Sequence, residues 1–338
     1  MKICIYGAGA IGGYMAVCLK EGGADVSVIA RGAQLEAIRA NGLKLLIDGK
    51  ERVARMPAAA NAAELGPQDY VIVALKSHQA WEAAELMRPL LGPDTAVVTA
   101  QNGIPWWYFY GVEGRYKDLQ LESVDPNGRQ WKTIGPGRAI GCTVYPATEI
   151  VSPGVIKHTY GDRFGLGEPT GQETERVQRL ALALEAGGLK AKIYPDIRND
   201  IWLKLWGNLC FNPISALTHA TLDVVATDKG TRAVAHAMMQ EAETIARHLG
   251  VSFRVDIERR INGAASVGAH RTSMLQDLEK RRPIELDALL TVVQEMGRLT
   301  GVNTPAIDIV LALTQQMGRV AGVYPVFPEA SKAAAGAA

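Results

Sequence analysis

Cysteine is scarce in this 338-residue chain: Cys4, Cys18, Cys142 and Cys210 are the four, and no two stand in CxxC spacing or beside paired histidines. A zinc site and a disulfide framework are therefore not expected. Charge of one sign is also missing. The 36 basic and 35 acidic residues leave a formal charge of +1, which gives no electrostatic footprint for nucleic acid or an anionic membrane. No apolar run approaches the roughly 18 residues of a membrane span. The first run, residues 1–6, is broken by Gly7 and is too short for a signal-peptide core, so the expected compartment is the cytoplasm. No internal repeat is visible. What remains, 48% hydrophobic and 21% charged residues, is the composition of an ordinary globular protein, and its length favours two domains over one core.

The N-terminal half alternates short apolar runs with helical patterns, as parallel strands covered by helices on both faces would. Strands are expected at Lys2–Tyr6 and at residues 25–30, 70–75, 96–100, 138–145, 155–160 and 189–194, with helices over 12–21 and 172–186. After Asp196 the β signal fades and helical patterns take over, at 232–249, 285–299 and 305–320. Thr304 before Pro305 predicts an N-cap with proline at the first helical position. The boundary is placed near Pro195, giving domains over residues 1–195 and 196–328 and a frayed Ala- and Gly-rich tail over 329–338.

Residues 3–13 read ICIYGAGAIGG. Gly7, Gly9 and Gly12 thus form a GxGxxG between a strand and a helix. The first glycine permits a tight turn, the second lets backbone N–H groups approach a pyrophosphate, and the third allows close packing of helix on strand. Gly7, Ala8, Gly9, Ala10, Ile11 and Gly12 are accordingly the candidate dinucleotide cradle. The fold class that follows is α/β, an N-terminal Rossmann-type doubly wound sheet followed by an all-helical C-terminal domain. The second strand ends at Ala30-Arg31-Gly32 without the acidic residue that would bind the ribose hydroxyls of NAD. Arg31 could pair with a 2′-phosphate, so NADP(H) is favoured. Lys76 and Asn102 stand just past two further strand ends, where ligands of open α/β sheets lie.

The segment IWLKLWGNLCFNP, residues 201–213, is mostly apolar, yet Lys204, Asn208 and Asn212 recur at intervals of four and share one helix face. Buried polar groups without partners cost about 2–7 kcal/mol, so a bound polar ligand would account for the stripe. Pro213 predicts a kink or stop at Asn212.

Taken in order, GAGAIGG, ARG, LKSHQ, QNG, SPGVIKH, IWLKLWGNLCFNP and SMLQDLEKRRPIE resemble the ketopantoate reductase (2-dehydropantoate 2-reductase) family over essentially the whole chain. The resemblance implies a Rossmann-type domain, a helical domain, NADPH, and a small-molecule 2-oxo acid substrate bound between them. It assigns Lys204 as the catalytic lysine and Asn102, Asn208, Asn212 and Ser273 as substrate-binding residues. Lys76, Asn102, Ala147 and Glu285 match positions toward the cofactor. Hydride delivered to a ketone leaves an alkoxide, and a protonated lysine supplies both charge and proton.

The sequence departs from the family in a longer connection after Gly103, which begins IPWWYFYG. Trp106, Trp107, Tyr108, Phe109 and Tyr110 are expected either as core or dimer contact, or as pocket lining for a bulkier substrate. The family's polar residue after the asparagine helix has no clear match at Thr221-Leu222-Asp223. The leading expectation is reduction of ketopantoate to (R)-pantoate for pantothenate biosynthesis. The alternatives are a reductase of another, bulkier 2-oxo acid and a non-catalytic NADPH-binding protein. A homodimer is compatible with the sequence.

Overall fold

Segments Lys2–Tyr6 (β1), Asp25–Ile29 (β2), Leu43–Ile47 (β3), Lys50–Ala54 (β4), Ala58–Ala59 (β5), Gln68–Val73 (β6), Leu91–Ala100 (β7), Ala139–Val144 (β8), Ala147–Ser152 (β9), Val155–Tyr160 (β10), Arg163–Gly167 (β11) and Lys190–Ile193 (β12) supply twelve strands in the computed structural model, which describes residues 1–324. Those at the centre of the main sheet, such as β1, β2 and β6, are apolar and rich in β-branched residues. The tail expected at 329–338 lies outside the described residues. The chain divides into two compact units, Met1–Lys204 and Leu205–Ala338.

In the first unit, eight strands form one sheet in the order β12-β11-β8-β7-β6-β1-β2-β5. From β8 to β5 every pairing is parallel, and the reversal of strand order at β1 is the doubly wound arrangement that puts ligands at the carboxyl ends of the strands. β11 joins antiparallel to β8. β1 to β2 is crossed by α1 (Ala10–Glu21), and α2 (Gly32–Asn41), α3 (Ser77–Ala83), α4 (Arg129–Thr133) and α5 (Glu175–Ala186) follow in this unit.

The expectation of a sheet covered by helices on both faces needs one correction. Four strands form a second sheet, β4-β3-β10-β9, with β3 and β10 parallel and hairpins on either side. α1 lies against it through Gly13, where a Cβ would come within 2.8 Å of Ile156 Cγ1. The charged residues of β4 hide this strand from a search for apolar runs.

α6 (Ile197–Thr218) runs through the division between the two compact units, which falls after Lys204. Asp196 caps its start by accepting from Arg198 N at 3.1 Å. The stop expected at Asn212 does not occur, because α6 continues through Pro213 to Thr218. A proline removes one backbone donor from a helix, and the burial of Leu209, Cys210, Phe211, Ile214 and Ala216 holds the flanking turns in place.

The second unit continues with α7 (Leu222–Thr227), α8 (Lys229–His248), α9 (Ile257–Ala265), α10 (Ser273–Glu279), α11 (Val292–Thr300) and α12 (Pro305–Ala321), and no strand occurs among its described residues. The helix expected over 285–299 begins later, with a π-turn at Asp287–Thr291 leading into α11. Glu285 therefore precedes the helix. The backbone there is diverted, since Ile284 N donates to Val323 O at 2.8 Å. Thr304 is the N-cap residue of α12, but its side chain does not cap; the Glu241 carboxylate of α8 accepts from Ala306 N and Ile307 N at 2.8 and 3.0 Å.

The aromatic run resolves mainly as core. Trp106, Trp107, Tyr108 and Phe109 are buried. Trp107 Nε1 donates to Thr99 Oγ1 at 3.0 Å, and Tyr108 OH accepts from Trp202 Nε1 at 2.7 Å. The Arg198 guanidinium donates to the carbonyls of Tyr108, Tyr110 and Pro169 at 2.6–2.8 Å. The long connection thus fastens the first turns of α6 to the first unit.

Candidate active site

The glycine-rich turn has the shape that a dinucleotide diphosphate requires. Gly7 holds φ +105°, and a Cβ there would stand 2.7 Å from Leu75 Cδ2. A Cβ at Gly12 would overlap the Gly7 carbonyl and lie 2.9 Å from Ile5 Cγ2, so only glycine lets α1 start this close to β1. At Gly9 a Cβ would meet nothing within 4 Å, which leaves the outer side of the turn open. Gly9 is the N-cap of α1 and offers no side-chain cap. The first N–H groups of a helix lack intrahelical acceptors, and they carry its positive dipole end. Gly9, Ala10 and Ile11 hence present backbone donors at an open helix start. Gly7 N and Ala8 N are already used by Ile29 O, at 3.1 and 3.2 Å.

Arg31 closes β2 as the N-cap residue of α2 and is exposed. Lys76 is the N-cap residue of α3. Asn102 follows β7 and lines a small pocket together with Ser77, Gln101, Trp106, Cys142 and Ile201. Gln101 Nε2 is anchored on Leu75 O at 2.8 Å, which ties the end of β7 to the end of β6. Burial pushes the Cys142 thiol up to about 12, so it stays protonated. Ala147 opens β9 in the small sheet and is half-buried.

Lys204 stands in the second turn of α6, half-buried, and its Nζ donates to the Val144 carbonyl at the end of β8. Tyr145 lies beside it, with Nζ 5.5 Å from the ring centroid. One turn earlier, Asp200 is buried and accepts from Thr143 Oγ1 and from Tyr145 OH, the latter at 3.0 Å. Burial, then the Asp200 charge, push the Tyr145 phenol upward.

Within the second unit, Asn212 is buried and donates from Nδ2 to Ser273 Oγ at 3.4 Å. Tertiary structure thus joins two candidate residues that are 61 positions apart. Ser273 is exposed at the start of α10, whose cap is Thr272, accepting from Leu275 N at 3.3 Å. Asn208 lies on the Lys204 and Asn212 face of α6 and is half-buried. Glu285 lies in the stretch without regular structure that precedes the π-helical turn at Asp287–Thr291. Sequence reasoning missed Asp200, although it continues the four-residue stripe backward from Lys204. No local signal marks Thr143 and Tyr145, whose roles arise from where β8 ends.

A doubly wound sheet with an uncapped glycine-rich helix start, followed by a helical unit bearing amides and a serine, defines a dinucleotide-binding oxidoreductase of the two-part type. The ketopantoate reductase PanE/ApbA family profile matches residues 3–171, and its C-terminal counterpart matches residues 196–318. The chain belongs to the ketopantoate reductase family. It is 56% identical over 309 residues to a 2-dehydropantoate 2-reductase of Mesorhizobium japonicum, spanning 91% of this chain and 95% of that one. A Ralstonia solanacearum structure provisionally assigned as a ketopantoate reductase superposes with TM-score 0.92 at 41% identity, over 96% of this chain and 99% of that chain. The 2-dehydropantoate 2-reductase of Methylococcus capsulatus gives 0.80 at 28%, over 95% and 98%.

Proposed function

We propose that this chain reduces the C2 carbonyl of ketopantoate to (R)-pantoate with NADPH, in pantothenate biosynthesis. The observation that carries the substrate is the 56% identity to the Mesorhizobium japonicum 2-dehydropantoate 2-reductase across nine-tenths of the chain. The geometry supports the chemistry. Gly7 through Gly12 would cradle the diphosphate, Arg31 the 2′-phosphate, and Lys76, Asn102, Ala147 and Glu285 would line the cofactor's path. Bound there, the dinucleotide supplies the hydride.

Lys204 acts as general acid, giving a proton to the oxygen that becomes the product hydroxyl, and its charge stabilises that oxygen as it turns anionic. Asn102, Asn208, Asn212 and Ser273 hold the substrate carboxylate and hydroxyl, because amides and hydroxyls donate to anions without adding a competing charge. The core role of Trp107, Tyr108 and Phe109 removes most of the reason to expect a bulkier 2-oxo acid. A cytoplasmic location and a homodimer remain part of this reading.

Purified protein should consume NADPH absorbance only when ketopantoate is added, and Lys204→Ala should lower kcat/KM by about 10²–10⁴-fold. No ketopantoate-dependent oxidation would overturn the substrate. Unchanged turnover in Lys204→Ala would overturn the role of the lysine.

A further inference from the structure

We propose that Asp200 is a positioning residue of the reductase site, fixing the helix that carries Lys204 onto the end of β8. This rests on the reading of Lys204 as the proton donor. Asp200 and Lys204 are one turn apart on α6 and engage three successive residues of one strand end. Thr143 and Tyr145 donate to the Asp200 carboxylate, and between them the Val144 carbonyl accepts from Lys204.

The arrangement is built by the fold rather than incidental to the surface. Asp200 is 5% exposed, and a buried carboxylate is costly unless hydrogen bonds satisfy it. Room for it depends on β11, because a Cβ on Gly165 would overlap Thr143 Oγ1 and stand 2.7 Å from Asp200 Oδ2 and 2.8 Å from Tyr194 Cε2. An apolar side chain at position 200 packed against valine and phenylalanine could fill the same space. Two directional bonds add what packing does not, a fixed rotation and translation of α6 relative to β8.

That precision matters because the lysine side chain is long and has many rotamers. A slip of one residue along a helix moves a group by about 1.5 Å and turns it by about 100°, while a misplacement of about 1 Å can cost about 100-fold in rate. The strand fixes the helix, and the helix fixes the amine.

The test uses the full chain with NADPH and ketopantoate, with Lys204→Ala as reference. Asp200→Asn, which keeps volume but exchanges one acceptor for a donor, should lower kcat by about 10–100-fold. The NADPH dissociation constant and KM should stay within about twofold of the parent, since the glycine turn and Arg31 are untouched. Thr143→Val combined with Tyr145→Phe, which leaves Asp200 in place without its donors, should reproduce the loss. Tyr145→Phe alone removes one hydroxyl from a retained ring and should lower kcat by about threefold or more. If Asp200→Asn does not fold, unchanged kcat in Tyr145→Phe overturns the proposal. A lowered melting temperature with parental kcat would make Asp200 structural only and also overturn it. Loss of turnover in Lys204→Ala together with parental kcat in Asp200→Asn rejects the positioning role alone, whereas full turnover in Lys204→Ala rejects the underlying reading of the lysine.

Discussion

Arg31 stands at the end of β2, where the proposed preference for NADPH would rest on a single side chain. It is exposed at the start of α2, and no carboxylate stands between the end of β2 and that helix. A guanidinium facing a 2′-phosphate forms charge-assisted, bidentate bonds that a ribose hydroxyl cannot match. Arg31→Ala should therefore weaken NADPH by about tenfold or more and NADH far less, measured by fluorescence titration of each. Equal weakening would remove the argument for the phosphate. The glycine turn and the Lys204, Asn208 and Asn212 stripe were legible because both depend on short-range spacing. Ser273 and Glu285 were reached only by family resemblance. Asp200 was within reach of the same four-residue count but was not recognised, since its meaning depends on Thr143 and Tyr145, more than fifty positions earlier.

Among the elements, the helix patterns of the second half identify the helices but not what satisfies their ends. The sequence offers Thr304 as the cap of α12, yet the carboxylate that accepts from Ala306 N and Ile307 N belongs to Glu241. Its charge also complements the positive end of the α12 dipole. Glu241→Ala should destabilise the protein by about 1–2 kcal/mol, lowering the melting temperature by about 2–4 °C, with kcat for ketopantoate unchanged. A melting temperature equal to the parent's would show that water replaces the carboxylate there. α6 illustrates the opposite case. Local rules stop it at Asn212, but the burial of the turns around Pro213 outweighs one lost backbone bond, so the Lys204 and Asn212 positions stay on one continuous helix. The small sheet was half-legible: β10 was expected at its observed bounds, whereas the charges of β4 and the polar residues of β9 interrupt any apolar run, and β3, LKLLI, was not read as a strand although four of its five residues are apolar.

For the molecule as a whole, the four cysteines provide a test of the packing. All are free and buried. Desolvation, the largest cause in each case, raises the thiols of Cys4 and Cys142 to about 12 and that of Cys18 to about 11, and pushes Cys210 in the same direction. Native protein at neutral pH should thus react with none of its thiols in a disulfide-exchange titration, and with all four after denaturation. Rapid native reaction would contradict the burial. The same shifts set an alkaline limit. Above the ordinary thiol value near 9 the unfolded chain loses protons that the folded chain keeps, so the folded state binds more protons and stability falls as pH rises from about 9 towards about 12. Urea midpoints measured across that range should decline.

A division between compact units inside α6, after Lys204, carries no local mark, because a helix pattern does not show where its neighbours change. The sequence by itself determined what depends on neighbours a few residues away: the glycine turn between strand and helix, the absent acid before Arg31, and the four-residue stripe of α6. Tertiary structure alone decided what depends on distant segments meeting, namely the second sheet against α1, the Asn212–Ser273 pair, the Glu241 cap and the clamp of Asp200 on β8. The reason is that backbone and helix-face geometry repeat over a few residues, whereas a hydrogen bond across many tens of positions exists only once packing has brought its two partners together.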